Sequence, residues 1–200
     1  MILVSKQAPD FTAPAILSDG KIINNFNFYK YKNGKITVLF FWPMDFTFVC
    51  PSELIAFNNL YHKFKDRDIN IIGVSVDSVY THNAWRNTSP NEGGIGTIQF
   101  PMISDITKKI QKSYGIEHKE LKIALRASFV IDHDNIVRHQ SINDLPIGRN
   151  IPDILRIIDA LKFYTEFGEV CPANWSPGKE AIIATPDGIK KYLSKNFKKI

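Results

Sequence analysis

The sequence predicts an α/β protein with a mixed central sheet flanked by helices, and three observations carry that prediction. The seven-residue apolar run Ile36 to Trp42, bounded by Gly34 and Pro43, is rich in β-branched and aromatic side chains and reads as a strand buried on both faces. Strand-like runs then alternate with helix-like ones, the pattern of a sheet crossed by helices. Finally, Ala127 to Ile131 and Ile136 to Ile142, separated by Asp132-His133-Asp134-Asn135, have the spacing of a β-hairpin, which adds antiparallel pairing.

Taken in order, Pro9-Asp10-Phe11 and Ser18-Asp19-Gly20 read as a loop and a turn ahead of the central strand. After Pro43 the pattern changes. Pro51 suits the first position of a helix, where its missing N–H would have no partner, and Leu54, Phe57, Tyr61 and Phe64 then recur at helical spacing. Ile69 to Val76, ended by Asp77, is a second buried strand, and Val79 to Asn87 a short helix. The glycines of Glu92 to Gly96 make a loop without the Lys and Ser/Thr that a phosphate loop requires. Phe100 to Ile103 reads as a short strand and Thr107 to Tyr114 as a helix that Gly115 stops. Ile151 to Phe163 has apolar residues at 151, 154, 155, 158 and 161, an amphipathic helix that Pro152 can start. Beyond Gly168 the chain shows turn formers and no long periodic segment, which predicts a tail packed on something outside the core. The implied division is a domain over residues 1–163 and a C-terminal extension over 164–200.

Two hundred residues can bury a sizeable core without a disulfide framework. The opening Met1 to Val4 is too short an apolar stretch for a signal-peptide core, and no run approaches membrane-spanning length, so a cytoplasmic protein is expected. The net charge of +5 is concentrated in the tail, where six lysines follow residue 178, and this distribution argues against nucleic-acid binding. Five histidines, at 62, 82, 118, 133 and 139, form no metal-ligating spacing with each other or with the two cysteines, so no metal and no cofactor are expected.

Two cysteines 121 residues apart in an intracellular chain favour redox or catalytic chemistry over a structural bridge. Cys50 falls where the Pro51 helix begins. The free N–H groups and positive dipole end found there favour the thiolate, the reactive form, and Thr47 adds a hydroxyl three residues away. A lone cysteine in an apolar segment is otherwise a small buried hydrophobe.

The pattern P-x-x-x-T-x-x-C formed by Pro43, Thr47 and Cys50, within the fuller string FTFVCPSE, closely resembles the active-site segment of the peroxiredoxins. GEVCPANWSPG, holding Cys171, resembles the resolving-cysteine segment of the typical two-cysteine subgroup. VSVDSVYTHNAW, ALRASFVID and NDLPIGR lie between them in the same order as in that subgroup. The resemblance spans nearly the whole chain and implies a thioredoxin-like fold. It also implies reduction of hydrogen peroxide and organic hydroperoxides by Cys50, through a sulfenic acid that Cys171 resolves as a disulfide.

By the same resemblance Arg126 is the catalytic guanidinium, Pro43 shields the site from water, and Glu53 and Arg149 orient Arg126. The disulfide is implied to join two chains of a homodimer, with five dimers forming a decamer and with thioredoxin or a dedicated dithiol reductase as recycling partner. A holdase chaperone is an alternative of another class, carried by some members of the family. A thioredoxin-like disulfide oxidoreductase would need a resolving cysteine close to the first, and Thr47 and Glu53 stand nearby instead.

Overall fold

The run Thr12–Ile16 (β1) turns through Ser18 to Gly20 into Ile22–Asn27 (β2) and a short helix Phe28–Lys32 (α1) in the computed structural model, which describes residues 1–198. There follow Thr37–Phe41 (β3), Cys50–Asn59 (α2), Tyr61–Lys65 (α3), Asn70–Ser75 (β4), Val79–Asn87 (α4), Met102–Ser104 (β5) and Lys109–Ser113 (α5). The chain continues with Arg126–Ile131 (β6), Val137–Asn143 (β7), Ile151–Phe167 (α6) and Pro186–Asn196 (α7). The strands form one mixed sheet in the order β2-β1-β5-β4-β3-β6-β7. The pairs β3/β4 and β4/β5 are parallel, and β6 runs antiparallel to both β3 and β7. This is the thioredoxin-like, mixed-sheet architecture that the sequence predicts.

β3 is buried along its whole length, and its alternating side chains build two different layers. Phe40 stacks on Phe57 of α2 with ring centroids 4.2 Å apart and meets Phe100 edge-on at 5.6 Å. On the other face Phe41 packs against Tyr114 and Phe129, at 5.4 and 6.0 Å, within a cluster that includes Leu39, Ile72, Ile103 and Ile131. Both faces are therefore dry, which is why β3 reads as a continuous apolar run rather than an alternating one.

Antiparallel pairing of β6 on β3 fixes where the functional residues meet. With Val38 opposite Val130 and Phe40 opposite Ser128, the first residue of β6, Arg126, lies at the end of the sheet where β3 finishes. The register of β7, with Arg126 opposite Asn143, brings the loop after β7 to the same end. The carboxyl ends of β3 and β7 and the amino end of β6 thus converge where the chain enters α2.

Two expectations are corrected. The segment before the central strand holds a β-hairpin and a helical turn as well as a loop: Pro14 and the exposed Asn24 and Asn25 weaken the strand signal, yet Pro14 sits where the β1/β2 register shifts between Ala13 and Ala15, and the asparagines lie in β2 at the sheet edge, where such residues are tolerated. The tail does contain a periodic segment, α7. Pro186 opens it, the Thr185 hydroxyl accepts from the Gly188 N–H at 3.0 Å, and Ile189, Tyr192 and Leu193 recur at helical spacing among the lysines that mask it.

The backbone divides into two compact units, residues 1–151 and the residues from Pro152 onward. The division falls at the start of α6. In the second unit the chain after α6 folds back on that helix, with Trp175 packed on Phe163 at 5.1 Å. No described helix is long and apolar enough to cross a membrane.

Gly73 pairs with Phe40 across β3/β4, and a Cβ there would lie 2.7 Å from the Trp42 ring and 2.9 Å from that of Phe40. Gly73→Ala is expected to lower stability by about 1–3 kcal/mol through overpacking. Urea denaturation measures this, and a midpoint equal to wild type would show that the aromatic layer yields freely.

Candidate active site

The chain leaves β3 at Phe41, passes the buried Pro43 and starts α2 at Cys50 with Pro51 in its first turn. Cys50 is buried. The Thr47 hydroxyl lies 2.9 Å from the Cys50 sulfur and also 2.9 Å from the Met44 carbonyl, so its single proton serves one of the two at a time. Arg126 places Nη1 3.3 Å from the sulfur and 2.8 Å from Glu53 Oε2, while its Nε donates to the Leu145 carbonyl at 2.6 Å. A guanidinium held at three points on a sheet strand is a fixed positive charge beside the sulfur.

Glu53 is one turn beyond Cys50 on α2, and its carboxylate is buried between two guanidiniums. Arg149 donates to both its oxygens, from Nε to Oε1 and from Nη2 to Oε2, each at 2.8 Å, and its backbone N–H reaches Oε1 at 3.0 Å. Nη1 of Arg149 caps the Phe41 and Ala127 carbonyls, each at 2.8 Å, as β3 and β6 part. The guanidinium lies over the Phe40 ring, 5.1 Å from its centroid. Burial pulls the Arg149 pKa down from its ordinary value, and the Glu53 carboxylate opposes this most strongly among its charged neighbours.

Sequence reasoning missed a second buried network, which holds the loop between Pro43 and Cys50. Asp45 accepts from Trp42 Nε1 at 2.9 Å and meets His82 Nδ1 of α4 at 2.7 Å, while His82 Nε2 faces the Ile103 carbonyl at 3.2 Å. Burial pushes the Asp45 carboxyl up, and the hydrogen bond from His82 opposes it. No spacing in the sequence joins position 45 to position 82.

The loop is anchored at its beginning and loosely held at its end. Phe46 takes a left-handed backbone, φ +52, which costs a bulky residue about 1–3 kcal/mol. Val49, the residue that caps α2, offers no side-chain hydrogen bond, so the first turn opens more readily than one closed by Ser, Thr or Asp.

Five of the seven residues singled out in the sequence, Thr47, Cys50, Glu53, Arg126 and Arg149, are joined by direct contacts, with Pro43 at the entry of the same loop. Cys171 lies in the second unit, part-buried, where its thiol donates to the Ala160 carbonyl at 3.7 Å. Among the described residues no cluster of His, Cys, Asp and Glu could hold a metal ion.

A cysteine at a helix start, facing a guanidinium on a thioredoxin-like sheet, is an arrangement suited to thiol chemistry. Comparison with known proteins gives the family. The AhpC/TSA family model matches residues 4–140, and the C-terminal domain of 1-Cys peroxiredoxin matches residues 160–195. The chain is 61% identical to alkyl hydroperoxide reductase C of Buchnera aphidicola subsp. Schizaphis graminum, over 98% of this chain and all of that one. It is 44% identical to mouse peroxiredoxin-2, over 96% of each. The reduced 2-Cys peroxiredoxin of Plasmodium vivax superposes with a TM-score of 0.93 at 43% identity, covering 97% of this chain and all of that one. The chain belongs to the AhpC/TSA peroxiredoxin family, whose members are peroxidases.

Replacing Arg149 by Met would leave Glu53 with one guanidinium in place of two and uncap the Phe41 and Ala127 carbonyls. Loss of about 3–5 kcal/mol of folding stability is expected, the cost of breaking a buried ion pair from one side. Chemical denaturation checks it, and a loss below about 1 kcal/mol would contradict the reading of Arg149 as the anchor of this network.

Proposed function

We propose that the protein reduces hydrogen peroxide and organic hydroperoxides through Cys50, and that Cys171 of a second copy completes the cycle. The contact that carries the reading is Arg126 Nη1 at 3.3 Å from the Cys50 sulfur, with the Thr47 hydroxyl at 2.9 Å. The thiolate attacks one peroxide oxygen in line, the O–O bond breaks, and the other oxygen leaves as alkoxide or hydroxide that takes up a proton. Cys50 becomes a sulfenic acid.

Negative charge moves from sulfur to the leaving oxygen during this step. A guanidinium and a hydroxyl already aimed at the sulfur can follow that charge without rearranging. In this reading Glu53 and Arg149 keep Arg126 in place, and Pro43 shields the loop from water. The sulfenic acid then condenses with the Cys171 thiol of the partner subunit, forming a disulfide and releasing water. A disulfide requires Cα atoms within about 7 Å, so the buried Cys50 must leave its pocket, and the weakly capped first turn of α2 supplies the opening. A dithiol, thioredoxin or a dedicated reductase, returns both cysteines to thiols by exchange. The assembly that suits this cycle is a homodimer with two such sites, five of which form the decamer implied by the sequence resemblance.

One equivalent of peroxide is expected to convert the reduced protein into a species of twice the mass on non-reducing gels. Either Cys50→Ser or Cys171→Ser should abolish it, and Cys50→Ser should also end peroxide turnover. Oxidised wild type that stays at the monomer mass, with an intrachain bond found by mass spectrometry, would overturn the intersubunit reading.

A further inference from the structure

The second unit holds a charged group that the chemistry above leaves unused. The segment from Cys171 to Trp175 lies along α6 against the chain direction. The Cys171 thiol donates to the Ala160 carbonyl at 3.7 Å, and the Trp175 carbonyl accepts from Arg156 Nη1 at 3.4 Å. Residues 156 and 160 are one helical turn apart, so the guanidinium and the thiol share one strip of α6. Trp175 pins this segment, its buried ring on Phe163 and its indole N–H on the Lys179 carbonyl at 3.1 Å. Arg156 is held in turn by Asp153 Oδ1, 2.6 Å from its Nε.

Charged groups on the elements around Cys171 are Asp153, Arg156, Asp159, Lys162 and Glu166 on α6, and Glu169, Lys179 and Glu180 beside the Val170–Ile182 bridge. Burial pushes the Cys171 thiol up, and it is the charge of Arg156 that opposes this.

We propose that Arg156 is a positioning residue for the resolving step: it keeps the 171–175 segment on α6 and sets a permanent positive charge where the Cys171 sulfur must lose its proton. This rests on Cys171 being the resolving thiol. In that step the Cys171 sulfur attacks the sulfenic sulfur of Cys50, the S–S bond forms as the S–O bond breaks, and the departing hydroxide leaves as water with the thiol proton. Cys171 is oxidised and the Cys50 sulfur reduced, both to the disulfide level, so no further reactant is needed. The same charge helps Cys171 leave as thiolate when a reductant attacks the disulfide at Cys50.

The test uses the full chain with Cys50→Ser, which leaves Cys171 as its single thiol, and follows alkylation by iodoacetamide from pH 6 to 11. Arg156→Met is expected to move the midpoint to higher pH and to slow alkylation at pH 7.5 by about threefold or more. Arg156→Lys should restore most of the rate, since it keeps the charge. Asp153→Asn, which removes the counter-charge of Arg156, should move the midpoint the other way. A midpoint that ignores all three substitutions overturns the proposal, and so does faster alkylation of Arg156→Met at every pH, which would make Arg156 a clamp and nothing more. In the two-cysteine protein, disulfide formation after one equivalent of peroxide should slow in Arg156→Met. A wild type that forms no Cys50–Cys171 bond at all would strike the resolving assignment instead, and the alkylation result distinguishes the two failures.

Discussion

The site depends on one buried carboxylate. Glu53 sits between the guanidiniums of Arg126 and Arg149, each 2.8 Å from Oε2, in a region closed to water. Two cations this close repel each other, and each would incur several kcal/mol of desolvation without a partner. The carboxylate compensates both and gives them different tasks. Arg149 is committed to structure through the Phe41 and Ala127 carbonyls, whereas Arg126 has Nη1 shared between Glu53 and the Cys50 sulfur. Because Glu53 lies one turn beyond Cys50 on the same helix, the guanidinium that it holds is placed beside the sulfur.

The sheet supplies the rest of the constraint. β3 ends, β6 begins and β7 ends at the same end of the sheet, so the cysteine loop, Arg126 and the loop carrying Leu145 and Arg149 meet there as a result of register. The aromatic layer beneath, Phe40 on Phe57 with Arg149 over the Phe40 ring, ties the packing of α2 to the same network. What this rigid frame carries is a segment of lower stability. Phe46 holds a left-handed backbone and Val49 gives α2 no side-chain cap, while Asp45 and His82 anchor the loop two residues before Thr47. A loop pinned at one end and weakly held at the other suits the proposed cycle, in which Cys50 is fixed for one reaction and released for the next.

Much of this was legible in the sequence, for identifiable reasons. β3 and α4 showed because continuous apolar runs and clear boundaries need no tertiary information, and Cys50 at a helix start followed from Pro51. Arg126 was a different case: nothing local marks an arginine at the head of a strand, and only the resemblance of its segment singled it out before the β3/β6 register explained it. The β1/β2 hairpin was hidden by Pro14 and by the polar residues of an edge strand, and α7 by lysines and Gly188. The Asp45–His82 pair was invisible, since a contact between residues 37 apart leaves no periodicity.

The central claim is that Glu53 acts on Cys50 through Arg126. The most direct measurement is a double-mutant cycle on the rate at which Cys50 consumes peroxide in a single turnover, with Glu53→Gln, Arg126→Gln and the pair together. Glu53→Gln is expected to slow the step by about tenfold to a hundredfold, Arg126→Gln to slow it more, and the double variant to be scarcely slower than Arg126→Gln alone. Losses that simply add would contradict it, because Glu53 would then serve the sulfur by a route that does not pass through the guanidinium.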